Sequence, residues 1–401
     1  MGFSNFYNFT MKKNILSFLL FCIISSNLYA QGVTVSAKVI DAETHEVLPS
    51  ASIYIDAENS TIANIDGEFG IEASPTDMLT ISYVGYNPIR IKAEDIESVI
   101  KLIPYAVELS EVKVLPLKKI LEKLRSNIEE ELRLHKAQES NFFYRQTTTN
   151  DSECCEYIEA FFNGYSEIAL RGVSLITGRY GALRNTEDKK YSRLGNYYDT
   201  SCISPYARKK QEKNILIPLM PDYEKLYYVD YDILKDKTSE NSIYRIAFTP
   251  RPNVKKAIVK GAIFVDANAY KILKYEGDIV NQRVIYDNKN KDGNALQISF
   301  SVTYTHHRDF TEVQSVSVKG SYSDKYIGTA VTLRSTMFNV GKKYFKGKKK
   351  LEGQDNLRQK ISTVGYEPYF WKDNVIVKRT PMEEQVAEMF EKENIFSNIK
   401  E

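Results

Sequence analysis

The sequence predicts a mainly β protein: an N-terminal β-sandwich, a linker helix, and a larger antiparallel β domain closed by a C-terminal helix. Three observations carry this reading. Short runs of alternating apolar and polar residues recur along the chain, separated by Gly, Asp, Asn and Pro turn signals. The 3.6-residue period of an amphipathic helix is clear in two stretches, near 117–132 and 381–390. Aromatics make up 12% of the 401 residues, with 28 Tyr, and such side chains pack well on pleated surfaces.

In chain order, the first element is a leader. Met11, Lys12 and Lys13 give a positive start, 15–24 (ILSFLLFCII) is apolar, and Asn27-Leu28-Tyr29-Ala30 precedes Gln31. This pattern predicts a secretory signal peptide over 1–30, with Met1 or Met11 as the initiator. The apolar run is far shorter than the ~20 residues that span a bilayer. Leu19-Leu20-Phe21 before Cys22 lacks the small residues of a lipid-attachment site. No later run approaches a span. The mature chain is therefore expected in the periplasm, or associated with the outer membrane, of a Gram-negative cell, with no transmembrane segment. Export permits disulfides. Cys154, Cys155 and Cys202 remain, so the expectation is one Cys154- or Cys155-to-Cys202 bridge, or none.

Residues 31–115 read as the sandwich. Strands are expected at 33–40 (VTVSAKVI), 51–55 (ASIYI), 69–71, 78–84 (MLTISYV), 89–91 and 99–102. A polar turn falls at 41–44, and a tight one at 64–68, where Gly67 accepts positive φ. The ordered set Val39-Ile40-Asp41, Leu48-Pro49, Ala51-Ser52-Ile53, Asp66-Gly67-Glu68-Phe69 and Ile81-Ser82-Tyr83-Val84-Gly85-Tyr86 resembles the carboxypeptidase-like regulatory domain. Residues 109–114 (LSEVKV) resemble its closing segment. Ala37 stands where that family usually has Gly, and Ala63-Asn64 where it has a Thr-containing turn. The resemblance implies a small transthyretin- or immunoglobulin-like β-sandwich, an accessory module of bacterial envelope proteins that carries no peptidase site.

Residues 116–140 read as the linker helix. Leu117, Ile120, Leu121, Leu124, Ile128 and Leu132 form one apolar stripe, expected to dock on a sheet. Residues 141–380 read as the antiparallel domain, with strands at 142–147, 243–248, 262–266, 269–275, 297–304 and 313–322 and no helical pattern between them. The helix and Phe142-Phe143-Tyr144-Arg145 resemble an uncharacterised envelope family that joins the same module to a β-rich region. Gln146 stands where that family would have Glu. The runs 244–248, 261–266 and 270–272 are similar to strands of lipoprotein-carrier half-barrels. That likeness implies a curved sheet that either holds an acyl chain or is filled by its own side chains. Residues 381–401 are the C-terminal helix and tail. Thr380 caps, Pro381 starts, Glu383 completes a capping box, and Met382, Val386, Met389 and Phe390 form the buried side.

Nine tyrosines between 180 and 231 stand among Arg184, Lys189, Lys190, Arg208, Lys209 and Lys210. They predict an insertion on a sheet edge or a contact to glycan or phosphate. The run 342–350 (KKYFKGKKK) lacks the spacing and the Ser/Thr of a phosphate loop, and is expected as a solvated loop or a contact to an anionic surface. The histidines are His45, His135, His306 and His307, and none has Glu three residues on, as a zinc peptidase needs. His306 and His307 are neighbours on a strand and point to opposite faces. His306 is expected to bond Asp309 at the surface. There is no Gly-x-Ser-x-Gly elbow.

No catalytic, cofactor-binding or metal-ligating residue is therefore assigned. The expectation is a non-enzymatic envelope protein that binds a protein, glycan or lipid partner. The alternatives are a carrier or sensor of an amphiphile in the curved sheet, and a hydrolase whose acid and base no motif exposes. No nucleic-acid partner is expected, because the chain is read as exported; the net charge of +2 does not decide it. That figure hides an asymmetry. Residues 31–115 hold 5 Lys+Arg against 14 Asp+Glu, and 116–401 hold 47 against 38. An acidic module on a basic domain predicts either mutual attraction or contact of the basic part with an anionic surface.

Overall fold

The computed structural model describes residues 33–56, 59–107, 116–134, 137–195, 204–207, 215–236, 241–284, 294–307, 310–324, 327–341, 349–350 and 357–396. The leader, the module's closing segment 109–114, Cys202, Asp309 and most of the lysine run lie outside these residues, and so do the readings that fall on them.

The N-terminal part is two small sheets. Its strands are β1 (Val33–Asp41), β2 (Ser52–Tyr54), β3 (Ser60–Ile62), β4 (Glu68–Ala73), β5 (Met78–Ser82), β6 (Ile89–Lys92) and β7 (Val99–Leu102), followed by β8 (Ala106–Val107). One sheet has the order β4-β1-β7 and the other β3-β2-β5-β6. Alternate residues point inward, and Val39, Ile53, Phe69, Leu79, Ile81 and Leu102 meet in a closed core. Gly67 has φ 76°, and a Cβ there would lie 2.7 Å from the Val39 carbonyl oxygen, so the turn requires glycine. Asn64 Oδ1 accepts from the Asp66 and Glu68 amides at 3.0 and 2.9 Å and holds that turn. The strand β3 is an addition to the sequence reading; three residues between two asparagines carry no legible alternation.

Helix α1 (Leu117–Leu134) buries Ile120, Leu121, Leu124 and Ile128, as its stripe predicts. The remaining strands are β9 (Gln138–Asn150), β10 (Glu153–Ser166), β11 (Leu170–Ala182), β12 (Tyr227–Lys235), β13 (Ser242–Pro250), β14 (Ile258–Asp266), β15 (Ile272–Val280), β16 (Arg283–Val284), β17 (Asn294–Ala295), β18 (Gln297–His306), β19 (Thr311–Asp324), β20 (Thr329–Gly341) and β21 (Lys349–Lys350). Three helices end the described chain: α2 (Leu357–Ser362), α3 (Pro368–Asp373) and α4 (Pro381–Lys392). Twelve strands form one sheet in the order β21-β11-β10-β9-β20-β19-β18-β15-β14-β13-β12-β8, all paired antiparallel. The protein is thus mainly β, with the predicted order of sandwich, helix, antiparallel sheet and terminal helix. At one edge β8, which directly follows the sandwich strands, pairs with β12 through Val107–Leu234 and Ala106–Lys235.

Several boundaries differ from the sequence reading. Residues 267–269 are a turn, held by Asp266 Oδ1 accepting from the Asn268 and Ala269 amides at 2.8 and 2.6 Å, so the strand expected at 269–275 starts at Ile272. The tyrosine-rich stretch 180–231 is no single insertion: its first residues finish β11 and its last belong to β12. The linker ends at Gln138, where β9 begins. The capping box of α4 is present. Thr380 Oγ1 accepts from the Glu383 amide at 3.2 Å, and Glu383 Oε2 accepts from the Thr380 amide at 2.9 Å.

The sheet has two unlike faces. One carries Tyr144, Ile158, Phe162, Ile263, Phe300, Val316 and Met337, which pack with the α1 stripe and with Ile217 and Leu219. The other carries a row of paired residues running Ser301–Ser317–Thr336–Arg145–Glu159–Arg179 across β18, β19, β20, β9, β10 and β11. The N-terminal module and helices α3 and α4 cover that polar face, whereas α2 packs with the apolar one through Leu357 and Ile361.

Candidate binding crevice

The module touches the polar face through separate posts. Ser50 and Ser317 hydroxyls are 2.8 Å apart. Lys274 Nζ donates to the Tyr83 hydroxyl at 2.9 Å. Thr61 Oγ1 donates to the Ile376 carbonyl at 2.7 Å, and Asn64 Nδ2 to the Lys378 carbonyl at 3.2 Å. The Lys378 ammonium lies 3.1 Å from Glu68, an ion pair of the sign the charge asymmetry predicts. Ile62 is the apolar post, set among Phe143, Phe161, Phe338 and Trp371.

Between the posts the surfaces do not close. A crevice of about 870 Å³ lies between β2, β3 and β5 of the module and the ends of β9, β18, β19 and β20 of the sheet. A second space of about 680 Å³ lies on the other side of β3 against 372–378, and shares Ser60, Thr61 and Val340 with the first. A third of about 260 Å³ shares Ser50 and Tyr83 with the first and reaches Arg145 and Glu383.

The charged groups of the main crevice are engaged within the protein. Lys274 is only 4% exposed; its ammonium lies 4.4 Å above the Tyr83 ring and 2.6 Å from Glu276. Burial works against its charge, but Tyr83 and Glu276 outweigh burial and raise its pKa. His307 Nε2 lies 2.7 Å from Glu312 Oε1, and its ring stacks on Phe310 at 4.3 Å. Ser140 Oγ donates to the other carboxylate oxygen of Glu312 at 3.4 Å. Serine, histidine and carboxylate therefore meet here, but with the carboxylate in the middle. A nucleophile triad needs the histidine in the middle, within reach of the hydroxyl proton. His306 points to the other face, as expected from adjacency. Its Nδ1 lies 3.0 Å from the Thr311 hydroxyl, and burial lowers its pKa.

Beside the crevice lies a buried ionic network. Glu159, 2% exposed, lies 2.8 Å from Arg145, 2.5 Å from Arg179 and 3.6 Å from Arg379. Tyr157 donates to it at 2.9 Å. Burial raises the Glu159 pKa, but the arginines dominate and hold the carboxyl far below the usual carboxylate range. Arg145 continues to Glu383 at 3.3 Å and Arg179 to Glu391 at 2.9 Å, both on α4. The network fastens the terminal helix to the sheet.

The apolar face is packed by the α1 stripe and by Ile217 and Leu219. A small space of about 30 Å³ lies beside α1, near Ile128, Ile168 and Ile272. Cys154 and Cys155 are buried free thiols, with Cys155 Sγ receiving the Asn150 amide at 2.9 Å. Among the described residues no three His, Cys, Asp or Glu side chains gather as metal ligands, and no helix is long and apolar enough to cross a membrane.

Sequence reasoning did not single out Tyr54, Lys274, Thr305 or Gln314 as site residues. One signal was available. Ser299, Ser301, Thr303 and Thr305 alternate along β18, and Ser315, Ser317 and Lys319 along β19, marking a sheet face made of hydroxyls rather than core.

The fold and crevice define a class: a two-part β protein whose accessory module and large antiparallel sheet enclose an open space. Residues 35–114 match the CarboxypepD_reg-like domain family, so the module carries that domain. Among solved structures, a LolA superfamily protein from Nitrosomonas europaea is similar at 11% identity. It covers 58% of this chain and 96% of its own, with a TM-score of 0.21. A DUF1329 family protein from Desulfovibrio piger is similar at 10% identity, covering 56% and 93%, with a TM-score of 0.23. No curated protein matches the chain.

Proposed function

We propose that the mature chain is a non-enzymatic binding protein of the Gram-negative envelope, periplasmic or outer-membrane associated, that holds its ligand in the crevice between the 31–115 module and the 141–380 domain. In this reading 1–30 is removed on export, the segment before β9 links the two parts, and α4 (Pro381–Lys392) clamps the sheet. The observation that carries the proposal is the crevice itself. Its volume of about 870 Å³ falls within the roughly 300–1,000 Å³ of small-molecule sites. Two regions far apart in sequence form it together, and its hydroxyls and amides stand beside ionisable groups, Lys274, His307 and Glu312, that are engaged with partners of their own. An amphiphile carrier using the half-barrel face would need that face open. Helix α1 and the residues around Ile217 occupy it.

The test is a photo-crosslinking residue at Thr305, on the crevice wall, with a control at Tyr228 on the distant β12, in mature protein exposed to envelope extract. The expected result is a discrete adduct by mass spectrometry from position 305 and none from 228. Equal labelling from both positions would overturn the proposal.

A further inference from the structure

We infer that the crevice takes a linear, uncharged glycan. This rests on the reading of the crevice as the ligand site and names the chemistry that fits it. The first argument is shape. The main space of about 870 Å³ is flanked by a second of about 680 Å³ across the three-residue strand β3, whose Ser60 and Thr61 line both. A ligand of several linked rings suits a space of that size, whereas a single ring leaves most of it empty.

The second argument is charge. Lys274 is answered by Glu276 and His307 by Glu312, and Asp56 accepts the Asn59 amide at 2.8 Å. An anionic or cationic ligand would have to compete with these internal partners.

The third is the hydrogen-bond inventory. Ser52, Ser60 and Ser82 line the main space, and each hydroxyl both donates and accepts, as sugar hydroxyls do. Tyr83 accepts from Lys274, which leaves its own hydroxyl proton to donate elsewhere, and Tyr83 lines two of the spaces. Gln314 Oε1 accepts from Thr305 at 2.7 Å, which orients its amide as a further donor group at the wall. An acyl chain laid here would cover these groups without pairing them, at a cost for each. Tyr54, 41% exposed on the same wall, offers a flat apolar face of the kind that receives the C–H face of a sugar ring. A peptide strand is bound by adding to a sheet edge, and three residues of β3 give too short an edge for that mode.

The experiment is calorimetry on the mature chain, residues 31–401, with cellohexaose, maltohexaose and chitohexaose and their monosaccharides. Hexagalacturonate, an uncharged decapeptide and laurate are the comparison probes. The expected result is that at least one neutral hexaose binds tenfold or more tightly than its monosaccharide. Tyr83→Phe and Gln314→Ala should each weaken it several-fold with unchanged circular dichroism, and Thr305→Trp should abolish it. Failure of all three neutral hexaoses overturns the inference. Binding of hexagalacturonate, decapeptide or laurate instead, blocked by Thr305→Trp, also overturns it while leaving the crevice as the ligand site. Neutral hexaose binding that Thr305→Trp does not touch overturns the crevice assignment itself.

Discussion

The two faces of the twelve-stranded sheet put the same backbone to opposite uses. On one face Leu124 and Ile128 of α1 press into a continuous apolar layer, where each fully buried side chain contributes roughly 1.5–3 kcal/mol. On the other, Ser50 meets Ser317 and Lys274 meets Tyr83, contacts worth about 0.5–1.5 kcal/mol net each, with open space between them. A face that stores stability has no room for a ligand. A face joined by a few posts gives up stability and keeps the room. The division has exceptions on the polar face: the apolar post at Ile62 and, stronger, the ionic tie at Glu159.

That ionic tie provides the sharpest way to break the comparison. Glu159→Ala removes the shared central carboxylate and leaves Arg145 and Arg179, both almost wholly buried, with only Glu383 and Glu391 at the helix side as counter-charges. It should cost about 3–5 kcal/mol in urea unfolding. A loss below about 1 kcal/mol would mean the network holds nothing. Next comes Leu124→Ala in the filled face, expected to cost about 3 kcal/mol by the same measurement. A near-zero effect would show that α1 is not the plug of that face.

A smaller effect comes from acid. The Glu159 carboxyl is held below its ordinary value of 4.5, so its contribution is complete above that pH and drains as pH falls toward the depressed value. The urea midpoint of the native protein should therefore drop below about pH 4.5, and the drop should be shallower in Glu159→Gln. Parallel curves would remove Glu159 from the account. The smallest effect is expected in the crevice. Ser82→Ala should change stability by no more than about 0.5 kcal/mol. A loss of 2 kcal/mol there would mean that this face is packed after all.

The sequence disclosed these regions unequally, for physical reasons. The module was legible because β1, β4 and β5 each have one buried face and are separated by Asn, Asp and Gly turns. The stripe of α1 and the cap of α4 were legible for the same local reason. β10 was not, because it is covered on both faces and carries Glu156 and Glu159 in its interior, which erases the alternation a strand is recognised by. β11 was hidden by Gly172, Gly178 and Gly181, the last two set where Ile361 and Phe390 approach the backbone. The crevice lay beyond any local pattern. It joins Ser52 and Tyr83 to Thr305 and Gln314, more than two hundred residues on, and no spacing rule spans that distance.

The two adjacent thiols set a timing condition. Burial pushes the Cys154 thiol up to about 12 and the Cys155 thiol up to about 11, so neither presents a thiolate at neutral pH, and the thiolate is the form that attacks. Burial and protonation together disfavour disulfide exchange through either residue in the folded protein. The unfolded chain has no such protection. In an oxidising compartment, β10 would have to close over Cys154 and Cys155 before the local oxidase finds them, and the yield of correctly folded protein would follow the outcome of that race.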